Sequence, residues 1–137
     1  MENREVALCG SMKFIEQMKR LATDLQVLDI SSYFPKEEEK ELIRGDRGDE
    51  GYANEKGDYI HTHLVKIRHC EKVLVANFDK NGVRGYVGPN SLIELAFGYA
   101  LDKKLYLLYP PGEQSCSSEI LGLKPTILEG NLERLVK

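Results

Sequence analysis

The chain has 137 residues, the usual size of one domain, and its 42% apolar content is enough for a single core. A net charge of −3 argues against a general nucleic-acid or anionic-membrane binder, so any phosphate contact should be local. No apolar run approaches the ~18 residues of a bilayer span, and Met1 to Glu5 lack a signal-peptide core, which together predict a cytoplasmic protein.

The apolar run Glu5 to Cys9 ends at Gly10-Ser11 and reads as a buried strand followed by a turn. From Phe14 to Leu25 apolar residues recur at three- and four-residue steps, predicting an amphipathic helix with Ser11 as a candidate cap near its start. Gln26 to Ile30 resembles a second short strand, closed by Pro35. Residues 36–57 have few apolar side chains, an acidic run at Glu37 to Glu39 and four glycines. They predict a mobile loop with at most a helical turn, either a lid or a solvated insertion.

Helical spacing returns at Tyr59, Ile60, Leu64, Ile67 and Cys70, leading into a buried strand from Lys72 to Asn77. A glycine-rich connection, Gly82 to Pro89, precedes a helix over about Asn90 to Leu101. Lys104 to Tyr109 is another buried strand, stopped by Pro110-Pro111-Gly112. A short helix at Ser117 to Leu123, an extended piece at Thr126 to Leu128 and a terminal helix from Asn131 complete the chain.

This alternation predicts one α/β domain over residues 1–137: a flavodoxin-like or Rossmann-like, doubly wound parallel sheet of four or five strands, ordered 2-1-3-4, with helices on both faces. Ligands of such sheets bind beyond the strand carboxyl ends, where the strand order reverses. That rule selects Gly10, Ser11, Met12 and Lys13 after the first strand and Asn77 and Asp79 after the third. It also brings in Gly88, Asn90, Ser91 and Glu94 at the start of the following helix.

Gly10-Ser11 with Lys13 can offer N–H groups, a hydroxyl and a positive charge to an anion, or simply form a capped turn. Glu94 lies among Leu92, Ile93, Leu95 and Ala96, where a carboxylate is costly to bury unless it is paired. It can attack a sugar carbon or stabilise an oxocarbenium-like transition state, or merely cap its own helix. His61, His63 and His69 lack the i, i+4 spacing of a metal pair; one can serve as a general acid–base group, or all can be surface residues. Cys9, Cys70 and Cys116 are widely separated and read as ordinary small side chains of a reducing compartment.

Three segments carry a family likeness: Val6 to Lys13, His63 to Asn77, and Asn90 to Ala100 with Lys103 to Leu108. Together they resemble the nucleoside 2-deoxyribosyltransferase superfamily, which includes 2′-deoxynucleoside 5′-phosphate N-hydrolases. The resemblance implies that Glu94 is the nucleophile toward the anomeric carbon and that Gly10, Ser11 and Lys13 bind a 5′-phosphate. Where the family has an aspartate that assists the departing base, eight residues before Glu71, this chain has His63. The implied activity is hydrolysis or transfer at the N-glycosidic bond of a (deoxy)nucleoside 5′-monophosphate in a homo-oligomer, without a cofactor or metal. A nucleotide-sensing module without turnover is the alternative, since fold does not fix function.

Overall fold

Five parallel strands carry the fold: β1 (Arg4–Cys9), β2 (Ser32–Tyr33), β3 (Cys70–Val75), β4 (Lys104–Leu107) and β5 (Thr126–Ile127). Their order in the sheet is β2-β1-β3-β4-β5, the expected doubly wound order with the fifth strand present. The computed structural model describes residues 1–35 and 48–136. Four helices connect the strands: α1 (Ile15–Val27), α2 (Gly48–Arg68), α3 (Pro89–Ala100) and α4 (Ser117–Leu123). No helix among the described residues is long and apolar enough to cross a membrane.

Alternation along β1 sends its side chains to two separate cores. Val6 and Leu8 join Leu74, Tyr106 and Leu108 under α1, whose Ile15, Met18 and Leu25 face them. Ala7 and Cys9 join Val73, Val75, Leu105 and Leu107 under Ile67 of α2, Leu95 of α3 and Ile120 of α4. Each large aliphatic side chain buried this way contributes about 1.5–3 kcal/mol. Gly98 lets α3 lie close on the sheet, since a Cβ there would come within 2.8 Å of Val73 Cγ2 and 3.0 Å of Leu105 Cδ2. The register pairs Cys9 with Val75, and Ala76 N donates to Cys9 O at 2.8 Å, so β1 and β3 end level.

Two elements depart from the sequence-based expectation. The second strand is not Gln26 to Ile30: α1 continues through Val27, and β2 is Ser32–Tyr33. A Schellman closure explains the difference, with Asp29 in the left-handed region at φ 63. Ile30 N then donates to Leu25 O and Asp29 N to Gln26 O, both at 2.9 Å, while Ile30 and Leu25 share one core. The apolar residues after Leu25 therefore end a helix. The second departure is the predicted loop, of which residues 48–57 are the first turns of α2. Residues 36–47, with the acidic run, lie outside the described residues. Gly51 and Gly57 each lower helix propensity by about 1 kcal/mol, and one face of this stretch looks into a cleft, so the core-facing periodicity is weak.

Candidate functional site

The cleft lies beyond the carboxyl ends of β1 and β3, at the point where the strand order reverses, and has a volume of about 830 Å³. Its walls include residues 10–16 after β1, Ala76, Phe78 and Lys80 after β3, the start of α3, and a stripe of α2 formed by Tyr52, Lys56, Tyr59 and His63. Gly10 sits in a tight spot, since a Cβ there would lie 3.1 Å from Met18 Sδ and 3.3 Å from Ala76 O.

At the floor, three chain elements bring together a carboxylate, an imidazole and a thiol. His63 Nε2 is 2.9 Å from Glu94 Oε2, and Cys9 Sγ is 3.3 Å from the same nitrogen. All three residues are buried. Pro89 begins α3 at N1, which makes Glu94 the sixth helical residue and places it too far in to cap the helix. The dipole of the helix falls off within its first turn, so the partner that compensates this buried carboxylate is His63. Burial, and then the Glu94 carboxylate, push the Cys9 thiol well above its ordinary pKa, so Cys9 keeps its proton. His63 Nδ1 is buried and has no hydrogen-bond partner among the described residues. The donor atoms of Cys9, His63 and Glu94 lie within 4.8 Å of one another, a set that can hold a metal ion.

Gly10, Ser11, Met12 and Lys13 all line the cleft, as do Gly88, Asn90 and Ser91. Ser11 accepts from Lys13 N at 3.3 Å, capping a short 3-10 turn before α1. Asn77 and Asp79 do not line the cleft. The Asn77 amide donates to Tyr109 O at 2.7 Å and accepts from Tyr109 N at 2.8 Å, tying the ends of β3 and β4 together. Asp79 accepts from Gly85 N at 2.9 Å and fixes the connection to α3. Both polar side chains are therefore committed to holding the loop, because buried or half-buried backbone groups there need partners.

Sequence reasoning missed Lys80, whose Nζ donates to Ser11 Oγ at 2.8 Å. Its position is set by a two-residue turn, with Asn81 at φ 54 and Gly82 at φ 74, closed by reciprocal bonds between Lys80 and Val83. Asn-Gly is the strongest short-range signal for such a turn and was available in the sequence. Tyr52 and Lys56 were missed for a different reason, since they lie in the stretch read as loop.

The arrangement defines a doubly wound α/β protein with a buried carboxylate–imidazole pair at its switch point. No family model matches the sequence. None of the curated proteins matches it. Among solved structures the fold is similar to that of a 2-desoxiribosyltransferase from Leishmania mexicana, with a TM-score of 0.50 and 14% identity over 77% of this chain and 63% of that one. The chain thus has a 2-desoxiribosyltransferase-like fold and spans less than two thirds of that structure's length.

Proposed function

We propose that the protein cleaves or transfers at the N-glycosidic bond of a (deoxy)nucleoside 5′-monophosphate, with Glu94 as nucleophile. The observation that carries this reading is the buried Glu94 carboxylate at the cleft floor, held by His63 Nε2 at 2.9 Å. A carboxylate so placed is dehydrated and oriented, as attack on an anomeric carbon requires. A bond forms between Glu94 and C1′ as the bond from C1′ to the base nitrogen breaks, and the electron pair leaves with the base. Water or a second base then takes the glycosyl group from the ester. His63, when doubly protonated, gives the departing base its proton.

Gly10, Ser11 and Lys13 hold the phosphate in this reading, with Asn90 and Ser91 across the cleft. The likeness to a 2-desoxiribosyltransferase supports a nucleoside-related substrate. The same reading makes the protein a cytoplasmic homo-oligomer. It is consistent with three free thiols and with the exposed Ile93 and Tyr99 of α3.

The test is a panel of deoxyribonucleoside and ribonucleoside monophosphates, with free base measured by chromatography and Glu94→Ala as control. Base release by the wild type and its loss in the variant are expected; equal release by both, or none with any substrate, sinks the proposal. One observation favours a second reading as nucleotide sensor: Nε2 of His63 is already engaged by Glu94 and Cys9, and Nδ1 is buried. A nucleotide that raises the melting temperature and is recovered intact after hours supports the sensor.

A further inference from the structure

The sequence offers no metal motif, yet folding assembles one from three separate elements: Cys9 at the end of β1, His63 in α2 and Glu94 in α3. We propose that these three side chains form a zinc(II) site at the floor of the cleft, and that metal bound there takes Glu94 out of use. The first half stands on the donor geometry alone; the second rests on the proposed role of Glu94 as nucleophile.

One thiol, one imidazole and one carboxylate make the mixed sulfur, nitrogen and oxygen set that a borderline-soft dication prefers. Tetrahedral zinc at ordinary bond lengths holds such donors about 3.3–3.6 Å apart. The observed separations are 3.3 Å from Cys9 Sγ to His63 Nε2 and 2.9 Å from Nε2 to Glu94 Oε2. Opening these two by a few tenths of an ångström reaches that spacing, and all three donor atoms already lie within 4.8 Å of one another. A fourth position remains on the cleft side, because His63 and Glu94 line the cleft and Cys9 lies behind them.

Charge favours the same arrangement. A Cys9 thiolate and the Glu94 carboxylate together cancel the two charges of zinc, leaving a neutral buried cluster. Binding releases the thiol proton to solvent, and the metal takes its place on sulfur. Nε2 must then present its lone pair, with the imidazole proton on Nδ1. That nitrogen has no partner among the described residues. Lacking an orienting partner there, the site should bind about 10- to 100-fold more weakly than one whose histidine has it.

The test uses the full-length, metal-stripped protein titrated with cobalt(II), a spectroscopic stand-in for zinc. A thiolate-to-cobalt charge-transfer band should saturate at one equivalent per chain and bleach on adding zinc. Cys9→Ala should abolish the band although Cys70 and Cys116 remain, and Glu94→Gln should weaken binding at least about tenfold. Absence of the band in the wild type overturns the site, as does a band of equal strength in Cys9→Ala. Should Cys9→Ala fail to fold, the Glu94→Gln titration decides, and unchanged affinity there overturns it. Zinc should also halt base release at one equivalent; a band with base release undiminished overturns the competition. A band in a protein that releases base from no nucleotide upholds the metal site and defeats the glycosyl reading separately.

Discussion

The two ends of the sheet treat buried charge differently. Toward the amino-terminal end, Lys72 of β3 is 8% exposed and bonded twice, donating to Glu5 Oε2 at 2.6 Å and to Leu135 O at 2.8 Å. Those bonds join β1, β3 and the 3-10 turn at Leu132–Leu135. At the carboxyl end, Glu94 is equally buried but leans on a histidine that also touches a thiol and leaves one nitrogen without a partner. A closed network stabilises, whereas an incomplete one inside a cleft is what a site for another molecule looks like. Substitutions at the two ends should therefore fail in different ways.

The largest effect is expected at the carboxyl end. Glu94→Gln keeps the shape and removes the charge, so base release should fall by roughly a thousandfold or more. Melting temperature should hold or rise, because a costly buried carboxylate is gone. A single-turnover assay alongside a thermal melt measures both; a large drop in stability would place Glu94 with the structural charges. Lys72→Met should show the converse. It removes the bonds to Glu5 and Leu135 and should cost about 1–3 kcal/mol in denaturant unfolding, with catalytic constants unchanged.

The same contrast explains what could be read from the sequence. Glu94 stands out because a lone carboxylate in an apolar helical run demands a partner, and the doubly wound order follows from strands alternating with helices. Only the family resemblance separates His63 from His61 and His69, since its partner is 31 residues away and on another helix. Cys9 was unreadable: a cysteine in a buried strand is ordinary, and its contact with His63, 54 residues away, exists only once β1, α2 and α3 converge. The placement of β2 failed because the apolar residues after Leu25 serve a helix closure as well as they would a strand. The first turns of α2 were missed because their ordered face lines a cleft, so the hydrophobic period that marks a helix is absent there.

Gly98 links the two behaviours. It lies one turn beyond Glu94 on α3, on the side pressed against Val73 and Leu105. Gly98→Ala adds a methyl where there is no room and should cost about 1–3 kcal/mol, despite the better helix propensity of alanine. Lifting α3 off the sheet also shifts Glu94 relative to His63, so activity should fall along with stability. Unchanged activity at reduced stability would mean that the carboxylate–imidazole pair moves with α3 as a unit.

The smallest expected effect separates the two buried thiols. Cys70 begins β3 at the amino-terminal end, and burial pushes its thiol from 9.0 up to about 11, against the opposing charges of Lys103 and Arg4. A raised folded pKa means that the native state holds its proton more tightly than the unfolded chain. The stabilisation is complete below the unfolded value and disappears as pH rises through about 11. Wild-type protein should therefore lose unfolding free energy between these values, and Cys70→Ala should lose less over the same interval. Cys9→Ala should flatten the profile too, since burial and the Glu94 carboxylate raise that thiol as well. Adding Glu94→Gln should reduce the Cys9 contribution and leave that of Cys70 untouched, because only Cys9 has the carboxylate beside it. Denaturant titrations across this pH range would measure both; equal sensitivity of the two thiols to Glu94 would show that the ends of the sheet are electrostatically coupled.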